Sequence, residues 1–196
     1  AHVAPSRQKP TTFKWLADVL EGCRVRDRDA QRTLYERYHL RVNRLMVRMV
    51  GEEDAADLTQ QTFLQLFLKL DQFAGRSHFD TWLYRLSFNE ALQFLRKSRR
   101  FRYFPLTHEP MSPSQAHEQY DDKELLDQAM ALLDPELRSI FMLREIEELT
   151  YGQIAAALDI PEGTVGSRLN RARAELQRHL IRLGWKPYCL LYTSDA

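Results

Sequence analysis

"IPEGTVGSRLNRARAEL", residues 160–176, decides how the rest of the chain is read. At about 100° per residue, Val165, Leu169, Ala172, Leu176 and Leu180 fall within about 80° of one another, which marks a buried stripe. The opposite face carries Ser167, Asn170, Arg171, Ala174 and Arg178, with Arg168 and Arg173 on its two flanks. Gly163, Gly166 and Ser167 near the start permit close backbone approach, and the free N–H groups there suit a phosphate.

A sharply bounded short helix precedes it. Thr150 with Gln153 is a capping box, and Leu149 with Ile154 can form the hydrophobic staple, so "YGQIAAAL" starts at 151. The turn "DIPEG" follows, its proline and first glycine setting the turn and the start of the second helix. Short helix, tight turn and second helix are the helix-turn-helix layout, whose second helix lies in the DNA major groove. There the central residues meet base edges while Arg168 and Arg173 meet phosphates. The competing reading is a solvated cationic face on a surface helix. Upstream, Asp134 followed by Pro135 caps and opens another helix, "PELRSIFMLREIEE".

The N-terminal half is also helical in period. Residues 28–50 place Leu34, Tyr38, Val42, Leu45 and Met49 at steps of three and four, and Gly51 ends them. Residues 52–70 begin with carboxylates, where a helix dipole favours them, and then bury Phe63, Leu66, Phe67 and Leu70. Residues 77–100 form a third long helix ending in cations. Three long helices with short joints predict a bundle, so the fold class is all-α. A shorter helix over 13–22 either packs on that bundle or serves a regulator.

Between these halves Pro105, Pro110 and Pro113 sit among Ser, His and Glu without any period, which predicts a flexible linker over 105–121. About twenty such residues span ~25 Å as a coil and up to ~70 Å pulled straight. The expected organisation is therefore an N-terminal extension with a short helix (1–25), a helical bundle (26–104), the linker, and a helix-turn-helix domain (122–184). The last residues, 185–196, lose helical period and are read as a non-native or disordered tail.

Composition narrows the function. The 196 residues are 44% hydrophobic and 28% charged with a formal net charge of +1, so any attraction to nucleic acid comes from local clustering of charge. Cys23 and Cys189 have no CxxC or CxxxH spacing, which argues against a disulfide framework or a metal site. No apolar run reaches the ~18 residues of a membrane span, and a cytoplasmic location is expected. No cofactor is expected, and no nucleophile, acid and base constellation or phosphate loop predicts an enzyme.

Two faces of the bundle hold more than a core requires. On the third helix Tyr84, Phe88, Ala91, Leu92 and Leu95 form a core stripe. Roughly opposite lie Trp82, Arg85, Asn89, Gln93, Arg96 and Arg100, with Lys97 beside them. Cations that track phosphates, with a ring and amides that take bases, suit a single or melting strand. Trp82 has a second reading as a core residue, and the basic end "RKSRRFR" a second reading as the start of a cationic linker. On the second helix Leu64 and Leu68 extend the apolar surface next to Asp57, Gln60 and Gln61. That polar-rimmed face either receives a partner helix or is buried within the bundle.

These strings together carry a family resemblance. "LYERY", "DAADLTQQTFLQLF", "FAGRSHFDTWLYRLSFNEALQFLRKSRR" and "LDPELRSIFMLREIEELTYGQIAAALDIPEGTVGSRLNRARAEL" resemble, in order and spacing, regions two and four of bacterial sigma factors. The chain is most similar to the short extracytoplasmic-function type, over about residues 26–182. The resemblance implies a promoter-specificity subunit of RNA polymerase and not an enzyme in itself. Region two would bind the clamp helices of the largest polymerase subunit and capture bases of the melting minus-10 element, and region four would read the minus-35 element.

Carried across on that resemblance, Asp57, Leu58, Gln60, Gln61 and Leu64 match the polymerase-contacting helix. The loop from Phe73 to Phe79, with Gly75 and Ser77, matches the loop that takes a flipped minus-10 base. Asn89 matches the family's asparagine near the melted strand, and Trp82, Arg85, Gln93, Arg96, Lys97 and Arg100, from the face read above, continue that site along the third helix. Thr164, Ser167, Arg168, Asn170, Arg171 and Arg173 match the minus-35 reader. Gly166 stands where many relatives carry Lys or Arg, so the minus-35 sequence is this chain's own. An anti-sigma factor is the further partner that the family implies, and no small-molecule substrate is expected. The rival readings are a stand-alone helix-turn-helix regulator, which gives the bundle no role, and an all-helical adaptor with merely solvated arginines.

Overall fold

A computed structural model describes residues 12–75, 77–101 and 122–185. The expected linker at 105–121, the chain before residue 12 and nearly all of the 185–196 tail lie outside the described residues, as does Cys189. Eight α-helices run through the described residues: α1 (Thr12–Arg24), α2 (Arg28–Val50), α3 (Glu52–Lys69), α4 (Phe79–Phe101), α5 (Asp122–Leu132), α6 (Pro135–Glu145), α7 (Tyr151–Leu158) and α8 (Glu162–Arg182). No strand occurs among them.

Local chemistry sets the boundaries in the first half. The Asp27 carboxylate accepts from the amides of Asp29 and Ala30 and so caps α2. Gly51, at φ +95°, both ends α2 and precedes α3, a backbone position that side-chain-bearing residues disfavour. Glu52, Glu53 and Asp54 then occupy the first turn of α3, at the positive end of its dipole. A 3-10 turn at Leu70–Gln72 and Gly75, at φ +68°, bend the chain toward α4. That bend explains why α4 begins at Phe79, two residues later than its periodicity predicts.

The bundle core joins Leu34, Tyr38, Val42, Leu45, Met46 and Met49 of α2 to Ala55, Leu58, Phe63 and Leu66 of α3 and to Leu83, Phe88 and Ala91 of α4. Each large side chain buried there is worth about 1.5–3 kcal/mol. Helix α1 packs on α2 and on the 3-10 turn, burying Leu20 and Cys23, so its apolar face belongs to the bundle.

The second half follows its caps closely. The Asp134 carboxylate accepts from the Glu136 amide with Pro135 in the first turn of α6, and Thr150 and Gln153 make the expected capping box on α7. The expected stripe of α8 is buried at Val165, Leu169, Ala172 and Leu176, against a core that includes Leu137, Ile140, Leu143 and Ile154. One expectation is corrected. The tight turn is made by Asp159 in the left-handed conformation (φ +56°), with Pro161 as N-cap of α8 and Gly163 inside its first turn. Asp is among the few residues that tolerate this conformation, which is how the turn forms without a glycine.

The two halves also pack on each other. Helix α7 lies along α4, and α5 and α6 touch α2. Packed on the bundle and on the second half, α4 buries more than one stripe: Leu83, Leu86, Ser87 and Glu90 are buried in addition to the predicted Tyr84, Phe88 and Ala91, while Leu92 and Leu95 are partly buried.

Candidate nucleic-acid interface

The α8 face opposite the buried stripe is open. Ser167, Asn170, Arg171 and Arg173 are exposed, and Thr164 and Arg168 are partly so. Thr164 and Ser167 hydroxyls donate to the carbonyls of Pro161 (2.7 Å) and Thr164 (3.0 Å), holding the first turns of α8 in shape. Each arginine rests on a carboxylate of its own half: Arg168 on Glu136 (3.6 Å), Arg171 on Glu175 (2.9 Å) and Arg173 on Glu145. The hydrogen bond and charge of Glu175 push the Arg171 guanidinium above its ordinary range. Exposed pairs of this kind are worth little in water, so a phosphate or a guanine edge can replace the carboxylate. A side-chain carbon on Gly166 would meet the Tyr151 ring at an ordinary 3.5 Å, so the glycine is not required by packing.

The loop after the 3-10 turn is pinched at both ends by aromatic rings. Phe73 meets Phe79 at 5.6 Å and Trp82 at 5.3 Å, and Phe79 meets Trp82 at 5.9 Å and Tyr38 at 5.3 Å. Arg24 of α1 donates to the Phe73 carbonyl at 3.2 Å. Phe79 is only 4% exposed and Phe73 and Trp82 are partly buried, so these rings shape the loop from within, while Gly75 and Ser77 stand exposed at its tip. Along α4, Arg85, Asn89, Gln93, Arg96 and Lys97 form an exposed stripe beside Trp82. The Arg100 side chain and Arg76 lie outside the described residues.

On α3 the surplus apolar surface remains open. Leu64 is 63% and Leu68 74% exposed, with Asp57, Gln60 and Gln61 exposed around them. This removes the alternative that the bundle itself covers them. Leu58 is different: it is buried in the core and supports the face from beneath. Gln61 is tied down by donating to the buried Glu90 of α4 at 3.0 Å.

A polar cluster between the halves was not legible in the sequence. Glu147, in the loop after α6, accepts from Arg41 of α2 (2.8 and 3.1 Å) and from the Tyr84 hydroxyl of α4. Arg41 also bonds Asp80 at 3.1 Å and lies over the Tyr84 ring at 5.0 Å. Burial, then the bond to Glu147, pushes the Tyr84 phenol well above its ordinary range. Burial alone would lower the Arg41 guanidinium, but Glu147 and Asp80 outweigh it and the net direction is up.

The family model for sigma-70 region 2 matches residues 34–101 and that for sigma-70 region 4 matches residues 123–176, so the two halves fall under separate models. The sigma-E factor of Salmonella typhimurium is 32% identical over 169 residues, covering 79% of this chain and 88% of the relative. The chain belongs to the extracytoplasmic-function sigma factors. SigE of Mycolicibacterium smegmatis is 35% identical over 150 residues, 72% of this chain but 58% of that longer protein. Two solved structures share the fold at 23% identity: CnrH with the cytosolic domain of CnrY (TM-score 0.61, covering 84% of this chain and 96% of that one) and RpoE with the anti-sigma factor NepR from Bartonella quintana (TM-score 0.62, 79% and 98%). Among the described residues of this sigma factor no helix is long and apolar enough to cross a membrane, and no cluster of His, Cys, Asp and Glu could hold a metal ion.

Proposed function

We propose that this sigma factor, which directs RNA polymerase to promoters, divides the work between residues 26–104 and 122–184. The observation that carries the reading is the α8 face, where Asn170 and Arg171 stand between Arg168 and Arg173 above a fully buried stripe. That arrangement suits minus-35 duplex, with Arg171 at a base edge and the flanking arginines on phosphates.

On the bundle, the exposed tip at Gly75 and Ser77 receives an unstacked minus-10 base, and Asn89, Gln93, Arg85, Arg96, Lys97 and Arg100 track the strand that leaves it. Unstacking a base costs a few kcal/mol, and a pocket whose walls are pre-set by Phe73, Phe79 and Trp82 offsets that cost without reorganising. The face of Asp57, Gln60, Gln61, Leu64 and Leu68 docks on the clamp helices of the largest polymerase subunit. The protein thus works in the cytoplasm as a specificity subunit, by binding and not by bond chemistry of its own. An anti-sigma factor is a further proposed partner, as in the solved RpoE complex of similar fold.

Run-off transcription with core polymerase tests this. The expected result is co-elution with core enzyme and initiation at a promoter bearing both elements. Tight operator binding without polymerase, and no initiation, would instead favour the stand-alone regulator.

A further inference from the structure

The N-terminal helix reaches the loop that precedes α4. Arg24, in the last turn of α1, donates from one guanidinium nitrogen to the Phe73 carbonyl at 3.2 Å and from another to the Glu21 carboxylate at 3.1 Å. Forty-nine positions separate Arg24 from Phe73 along the chain. Among the described residues no other side chain hydrogen-bonds the backbone of this loop. None of the binding faces described above includes α1, so this contact has no part yet in the function.

Arg24 leaves a helix end whose place is set by α2 and not by the loop. Gly22 approaches α2 so closely that a side-chain carbon on it would lie 2.6 Å from the Ala30 Cβ, a distance that packing forbids. The joint behind it is closed by backbone bonds: the Asp27 amide donates to the Gly22 carbonyl at 3.0 Å, and the Arg26 amide to the Cys23 carbonyl at 3.1 Å. Arg26 takes the left-handed conformation (φ +62°) that this tight reversal needs. Leu20 and Cys23 are buried on the inner face of α1.

The bond therefore connects a fixed platform to the start of the loop. The Phe73 amide donates to the Leu70 carbonyl at 3.0 Å, its ring lies against Phe79 and Trp82, and Arg24 holds its carbonyl. Two residues on, Gly75 turns the chain at φ +68° toward the exposed tip. A loop left slack at Phe73 would have to be ordered by the incoming base, and that cost would add to the cost of unstacking it. The planar guanidinium fork serves the carbonyl and Glu21 together, which a lysine ammonium on a flexible stem does less well.

We propose that Arg24 is a positioning residue for minus-10 base capture, which makes α1 a working part of the base-reading site. Its hold on the Phe73 carbonyl presets the wall of the loop before a base arrives. The proposal rests on the assignment of the loop from Phe73 to Phe79 as the minus-10 reader.

Amide hydrogen exchange of the full chain and run-off transcription with core polymerase test it together. Arg24→Met keeps the aliphatic stem and removes the donors, while Arg24→Lys restores a cation. The expected exchange in peptides from Leu70 to Ser77 is about three- to tenfold faster in Arg24→Met, with α2 and α3 unchanged and Arg24→Lys in between. On promoters that differ only in the minus-10 element, the ratio of cognate to base-substituted transcript should fall about three- to tenfold in Arg24→Met, the loss expected for a charged donor that is 33% exposed. The corresponding minus-35 ratio should hold. A merely structural loss would lower the active fraction on every template alike and leave both ratios where they were. Unchanged loop exchange, or an unchanged minus-10 ratio where the wild type discriminates, overturns the proposal. Faster exchange with a wild type that shows no minus-10 preference overturns the reading of the loop, and the proposal with it, while the hold of Arg24 on Phe73 stands.

Discussion

Arg138 on α6 donates to the Met49 carbonyl at the C-terminal end of α2 at 2.8 Å, so a buried cation of one half caps a helix of the other. The same guanidinium bonds Leu133 at 3.1 Å and Ala131 at 2.6 Å, closing the joint between α5 and α6. Arg138→Met keeps the aliphatic stem and leaves those carbonyls without their donor. We expect it to cost about 2–4 kcal/mol in urea unfolding, with Arg138→Lys recovering part of the loss. A change within about 0.5 kcal/mol would mean that water replaces the guanidinium at no cost.

Arg171 and Arg173 are expected to fail in different ways. Arg171→Ala should weaken use of the cognate minus-35 element by about 1–3 kcal/mol and leave scrambled elements nearly unaffected. Arg173→Ala should weaken all sequences alike and reduce the salt slope of binding by about one. Fluorescence anisotropy on cognate and scrambled duplexes, with holoenzyme, separates the two. Equal losses on both duplexes for Arg171→Ala would make it a phosphate contact.

The open apolar face of α3 makes a third expectation. Leu64→Asp and Leu68→Asp alter side chains that stand in solvent, so the melting temperature should hold within about 2 °C. Affinity for core polymerase should fall by at least about tenfold, because a charge would be desolvated in the docked face. Leu58→Ala is the contrasting variant: its side chain is buried, and the expected loss is about 2–5 kcal/mol of stability. Unchanged core binding in both aspartate variants would place the polymerase contact elsewhere.

Much of this architecture was legible because local signals agreed with one another. Capping residues at Asp134 and Thr150, the stripe from Val165 to Leu176, and the acidic start of α3 are each short-range chemistry that survives folding unchanged. Asp159 was missed because the sequence offers Pro161 and Gly163 as more familiar turn residues, and only the backbone reveals which one reverses. Phe79 belongs to the minus-10 loop only through the family resemblance; the structure buries its ring among Phe73, Trp82 and Tyr38, the last more than forty positions away along the chain. Arg138, Glu147 and Arg41 gave no signal at all. Each is an ordinary charge on a helical or loop segment, and its role depends on the packing of the C-terminal half against α2 and α4, which no local pattern encodes.

Cys23 carries a prediction about alkaline pH. Burial, and then the charge of Asp27, raise its thiol to about 11 from an ordinary value of 9.0. Above the unfolded value the unfolded chain loses this proton while the folded chain keeps it, so folding binds more protons and stability falls as pH rises. The contribution is complete below about pH 9 and is lost between pH 9 and about pH 11. Tyr38 and Tyr84, whose phenols burial also raises, add loss of the same sign above about pH 10. Urea unfolding at intervals from pH 7.5 to 10.5 should therefore show stability falling above pH 9, and Cys23→Ala should flatten the first part of that slope whatever its absolute stability. The same burial predicts slow alkylation of Cys23 by iodoacetamide at about pH 8, with fast reaction only after urea is added. With Cys189→Ser as background, fast labelling of Cys23 in the folded protein would show that α1 leaves the bundle readily, and the slope above pH 9 should then be absent as well.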